Sequence, residues 1–119
     1  MLTEQQVFDK VAAHLLTQRR KSIDSESWCK YRDGKGGMCA AGCLIDDAEY
    51  TTDMEFHSWN YLYLAQNPGV CKIGHVDLVT DLQRVHDHFD PKRWKQELTA
   101  VALIHNLDRS ILNQYEDIQ

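Results

Sequence analysis

The chain has 119 residues with a formal net charge of −5, 43% hydrophobic and 26% charged residues. That length suits one globular domain, 1–119, with one core, and leaves no room for a second core. The acidic balance argues against nucleic acid as a partner, since sequence-independent binding needs a basic surface. No run approaches the ~20 apolar residues of a membrane span, so no membrane partner is expected.

Thr3 followed by Gln6 has the form of a capping box. Val7, Val11 and Leu15, flanked by Phe8, Ala12 and Leu16, make a wide apolar stripe at helical spacing. This predicts a first helix from Thr3 to Gln18. Arg19, Arg20 and Lys21 follow, with Lys30, Arg32 and Lys35 further on. They read as a solvated helix end and a polar turn rather than as a phosphate-binding patch.

Trp28–Arg32 alternates in type, and Asp33-Gly34-Lys35-Gly36-Gly37 carries a strong turn signal. Together they predict a small β-hairpin with strands near 28–32 and 37–40, leaning on the helices through Trp28 and Tyr31. Cys39–Ile45 is small and apolar, and Gly42 would permit a close approach to a neighbour. Asp53–Gln66 reads as a helix ending before Asn67-Pro68-Gly69. Val70–Ile73 is ambiguous. From Val76, the residues Val79, Leu82, Val85, His86 and Phe89 share one helical face. Asp90-Pro91 supplies a new N-cap with proline at the first helical position, and Trp94, Leu98, Val101 and Ala102 mark a helix ending near Leu107. The tail from Asp108 to Gln119 adds one short helix through Ile111, Leu112 and Tyr115. The expected fold is mainly α (α+β), with four to five helices around one core and a β-hairpin inserted after the first.

The four cysteines admit three readings. The N-terminal segment Met1–Lys10 lacks the apolar run of an export signal, so a cytoplasmic, reducing setting is expected and disulfides are not. Free cysteine is commonly buried as a small apolar residue. Cys29, Cys39 and Cys43, with Cys71 or a histidine, could instead form a structural zinc site, although no C-x-x-C pair is present. Cys39 or Cys43 could also act as a nucleophile, with His57, His75 or His86 as base. His86 and His88 are two apart and point in different directions on a helix, so His86 reads as a hydrogen-bonded core residue and His88 as exposed. Trp59, Tyr61, Tyr63, Tyr50 and Phe56 crowd one region and cannot all face one core. Trp59, Tyr61 and Tyr63 are therefore candidates for a protein interface.

The segments Cys29-Lys30-Tyr31-Arg32 and Gly36–Asp47, the latter containing Cys39-Ala40-Ala41-Gly42-Cys43-Leu44-Ile45, carry a C-x-Y-R … C-A-x-G-x-L-I pattern. This resembles a group of small uncharacterised proteins of bacteriophages and their bacterial hosts, as do Leu82–Asp87 and Trp94. That group usually has proline after the L-I step, where this chain has Asp46. The resemblance covers about half of the chain and implies a phage or bacterial setting, with no activity, ligand or catalytic residue attached. The reading that follows is a non-enzymatic protein-interaction domain, a phage-encoded factor that binds and modulates a host protein. A zinc-stabilised module and a small thiol enzyme are the alternatives, and a homo-oligomer is compatible with each.

Overall fold

The computed structural model describes all 119 residues. Helix α1 (Glu4–Gln18) starts where the capping box places it: the Thr3 hydroxyl accepts from the Gln6 amide, and the Gln6 side chain accepts from the Thr3 amide. Its buried stripe is Val7, Phe8, Val11, Ala12, Leu15 and Leu16. Four further helices follow, α2 (Trp59–Leu64), α3 (Pro68–Cys71), α4 (Val76–His88) and α5 (Trp94–Ile104), with short 3₁₀ turns at Gly42–Leu44, Thr52–Met54, Pro91–Arg93 and Ser110–Gln114. Helices α1, α4 and α5 pack on one another, and α2 covers the outer side of α4. None of the helices is long and apolar enough to cross a membrane.

The sharp corner between α4 and α5 forms as expected. The Asp90 carboxylate accepts from the Lys92 amide, Pro91 opens the next turn, and Trp94 is fully buried with its indole N–H on the Phe89 carbonyl. The tail makes a 3₁₀ turn in which Leu112 is buried.

The expected β-hairpin is absent. The segment holds only two isolated antiparallel bridges, Ile23 with Cys29 and Arg32 with Met38. The reason is where the backbone groups find partners. The amides of Tyr31 and Arg32 donate to the two carboxylate oxygens of Glu55, at 2.9 and 3.2 Å. The Met38 amide donates to Gln18 Oε1, and its carbonyl accepts from His14 Nε2 and Gln18 Nε2. Two rungs of a ladder do form, from the Asp33 amide to the Gly37 carbonyl and from the Cys39 amide to the Tyr31 carbonyl, but the next cannot, because the Tyr31 amide goes to Glu55 and the Cys39 carbonyl accepts from the Cys43 amide. Asp33 closes the turn itself, accepting from the amides of Lys35 and Gly37. The fold is therefore mainly α without a sheet, and the irregular stretch 19–41 is tied down by polar side chains.

Two further expectations need correction. Trp28 does not anchor this stretch: it is 61% exposed, because Asp24 Oδ1 accepts the amides of Glu26 and Trp28 in a tight turn through Ser27 at φ 68°. Tyr31 is the anchor, buried with its hydroxyl donating to the His57 carbonyl. The long helix over 53–66 is interrupted. Phe56 adopts a left-handed φ of 67°, and Ser58 then caps α2 by accepting from the Tyr61 amide.

Candidate functional site

A cleft of about 430 Å³ opens between three segments that are distant in sequence: Cys29–Tyr31, Glu55–Trp59, and the face of α4 carrying Thr80, Gln83, Arg84, Asp87 and His88. Each segment has a fixed position. Glu55 is buried and binds the 29–32 stretch through the amides of Tyr31 and Arg32, while also accepting from the Tyr50 hydroxyl at 2.5 Å. Gln83 reaches from α4 to the other wall, accepting from the Ala41 amide at 2.8 Å and donating to Asp87 at 2.7 Å.

His86 lies behind the cleft, fully buried, as a core histidine should be. The Ser22 amide donates to its Nε2 at 2.9 Å, and Nδ1 stands 2.8 Å from Asp87 Oδ1. A backbone N–H can only donate, so the network assigns Nε2 as the bare nitrogen and Nδ1 as the protonated one. The ring also stacks on Trp94, with centroids 5.6 Å apart. Burial would raise the Asp87 pKa, but the bonds from His86, Cys29 and Gln83 hold it below the usual carboxylate range.

Cys29, His86 and Asp87 bring three potential ligand atoms within 4.8 Å of one another. They do not fit a metal ion as they stand. A cation on His86 Nδ1 would leave the proton on Nε2, where it would face the Ser22 N–H donor to donor. The four cysteines are otherwise dispersed, with no three sulfurs within that distance. The Cys43 thiol donates to the Ala40 carbonyl at 3.1 Å, the Cys71 thiol to the Tyr63 carbonyl at 3.4 Å, and Cys39 accepts from the Gly42 amide. The expected zinc ligand set of Cys29, Cys39, Cys43 and Cys71 therefore does not converge.

The thiols are also poorly placed as nucleophiles. Burial pushes Cys43 up to about 12 and Cys39 further still. Cys29 is raised to about 12 by burial and then by the charge and hydrogen bond of Asp87. A nucleophilic thiol needs the opposite environment. His86 has both nitrogens engaged, so it has no free site with which to act as base.

The aromatic crowd resolves into a buried and an exposed part. Trp59, expected at an interface, is 3% exposed, and its indole N–H donates to the Gly74 carbonyl. Tyr61 and Tyr63 are exposed as expected, and Phe56 at the cleft rim is 73% exposed. His57 stacks on Tyr61 with centroids 4.5 Å apart, linking the rim to α2. The Lys30 ammonium stands 5.2 Å from the Phe56 ring centroid.

A second, more polar hollow shares Thr80 and Arg84 with the cleft and is completed by Asn60, Asp77, Asp81 and His105. His105 Nε2 pairs with Asp81 there at 2.7 Å. Sequence reading missed Glu55, Gln83 and Arg84 as parts of one site. Nothing local marks them as one site, since Glu55 and Gln83 join it through the amides of Tyr31, Arg32 and Ala41, more than twenty positions away. No family model, curated protein or solved structure matches the chain.

Proposed function

We propose that the protein is a non-enzymatic protein-interaction domain that meets its partner across the cleft rim, where Phe56 is exposed and Tyr61 stacks on His57. The observation that carries this reading is Phe56. Its side chain stands in solvent while its backbone holds φ 67°. The left-handed conformation costs a residue with a side chain about 1–2 kcal/mol. Leaving a phenylalanine in water also forgoes about 2 kcal/mol of burial. Both costs fall on one residue, fixed between the Glu55 anchor and the Ser58 cap, and such a pairing supports a binding role. The Lys30 ammonium over the ring recovers only part of this, about 0.5–1 kcal/mol for an exposed pair.

The setting is a further part of the proposal. The resemblance of Cys29–Arg32 and Gly36–Asp47 to small phage and bacterial proteins supports a phage-encoded factor acting on a host protein in the cytoplasm. The test is capture from bacterial lysate by the tagged protein, run beside Phe56→Ser and Tyr61→Ser chains whose folding is verified by circular dichroism. A protein retained by the wild type and lost with both substitutions is expected. Capture that is indifferent to both substitutions, or no capture, overturns the reading.

A further inference from the structure

We propose that the cleft and the neighbouring hollow form one groove along α4 that accepts an extended peptide segment with a basic residue at one end, an aromatic residue at the centre and an acidic residue at the other end. This rests on the interaction-domain reading and names the chemistry of the partner segment. The two hollows share Thr80 and Arg84 in their linings, so they lie side by side along the helix.

Charge along the groove is ordered. Asp77, exposed in the first turn of α4, has no ion-pair partner, whereas Asp81 is occupied by His105. Towards the opposite end stands Lys30, which faces the Phe56 ring and no carboxylate, while Arg84, 3.6 Å from its carboxylate partner Asp81, stands where the two hollows meet. The groove thus offers a free carboxylate at one end and the Lys30 ammonium at the other.

The middle is different. The polar groups deep in the cleft satisfy one another: Glu55 takes two amides and a hydroxyl, and Asp87 takes His86 and Gln83. None of these groups calls for a polar ligand, and Cys29, Phe56 and Trp59 contribute apolar wall. An aromatic side chain is the group that such a centre can take without stranding a donor or acceptor.

Length fixes the conformation of the occupant. At 1.5 Å per helical residue, Asp77 lies about 10 Å from Arg84 and about 16 Å from His88 along the axis. In an extended chain, residues i, i+2 and i+4 share one face and span about 13 Å from first to last. Five extended residues therefore place a basic, an aromatic and an acidic side chain at the required three points.

The experiment titrates acetyl-Lys-Ser-Phe-Ser-Glu-amide into the full ¹⁵N-labelled protein at millimolar concentration and low salt, following amide shifts by NMR. Matched peptides with Lys at both ends, with Glu at both ends, and with Ser in place of Phe are run alongside. Shifts are expected at Lys30, Glu55–Asn60 and along α4, with the Lys…Glu peptide binding about threefold more tightly than either like-charged version. Asp77→Lys should invert the order so that the Glu…Glu peptide binds best. Absence of shifts, shifts elsewhere, or equal response to all peptides overturns the inference. Partner capture lost in Phe56→Ser but unchanged in Asp77→Lys likewise overturns the groove and leaves the interaction reading standing. Capture indifferent to Phe56→Ser overturns that reading itself.

Discussion

Gly42 lies against the carbonyl of Tyr31 so closely that a Cβ on Gly42 would stand 2.1 Å from that oxygen. Tyr31 cannot retreat. Its carbonyl accepts from the Cys39 amide, its amide donates to Glu55, and its hydroxyl donates to the His57 carbonyl at 2.6 Å. Gly42→Ala is therefore expected to cost about 3 kcal/mol, at the upper end of overpacking effects. Urea unfolding measures this. A Gly42→Ala chain within about 0.5 kcal/mol of wild type, the range of a neutral surface change, would mean that the 29–32 stretch is not held as described.

Glu55 is the second anchor, and here shape and charge can be separated. Glu55→Gln keeps the volume but turns an NH₂ group towards three donors, the amides of Tyr31 and Arg32 and the Tyr50 hydroxyl. One of them loses its acceptor. The expected loss is about 2 kcal/mol, the magnitude for a buried donor left unpaired. The same change should loosen the cleft wall, seen as faster hydrogen exchange at the Tyr31 and Arg32 amides. Unchanged exchange at both would show that Glu55 is not what holds them.

These two anchors also show what was legible in the sequence. Helix α1 could be read because its signals are local: Thr3 and Gln6 mark the start, and the stripe from Val7 to Leu16 marks the face. Asp90-Pro91 gave the α4–α5 corner for the same reason, and Gly42 was recognised as a point of close approach. The hairpin failed because alternation and an Asp-Gly turn say nothing about competitors for the backbone. Glu55 takes the Tyr31 amide and the Cys43 amide takes the Cys39 carbonyl, so the ladder stops after two rungs. The cleft failed for a related reason, since its walls come from positions 29–31, 55–59 and 80–88. Glu55 was hidden inside a stretch read as continuous helix, whereas the chain leaves helical geometry at Glu55, which is extended, and at Phe56, which is left-handed. Surplus aromatics were legible as a count, but which of them faces water was not: Trp59 turned in and Phe56 turned out.

Cys29 is raised to about 12, by burial first and by Asp87 second. Alkylation of Cys29 by iodoacetamide at about pH 8 should accordingly be slow, since the thiolate is the reacting form. Asp87→Asn removes the charge that opposes the thiolate while leaving the burial. Labelling of Cys29 should then accelerate, about tenfold for each unit by which its pKa falls. Peptide mapping by mass spectrometry separates Cys29 from the other three. Fast labelling in the wild type, or no acceleration in Asp87→Asn, would contradict the placement of the Cys29 thiol against that carboxylate.

His14 sets the expected response to mild acid. It is partly buried under the 38–39 stretch, with Nε2–H donating to the Met38 carbonyl at 2.8 Å. Burial lowers its pKa from the usual 6.5, with the Met38 bond opposing. A lowered pKa means that, below 6.5, the unfolded chain binds a proton that the folded chain resists. Stability therefore rises with pH through this window, is fully present above about 6.5, and is lost as pH falls through the folded value. Asp33 acts in a lower window. Burial would raise it, but Arg20 and the amides of Lys35 and Gly37 hold it below 3.8, so its contribution is lost only in stronger acid. The two are separable by substitution. His14→Gln keeps a side-chain N–H for Met38 and removes the titration, so the fall in unfolding free energy between about pH 7.5 and about pH 5.5 should shrink, while acid unfolding below about pH 4 persists. A His14→Gln chain that loses as much stability as wild type between those two pH values would assign the mild-acid response to another group.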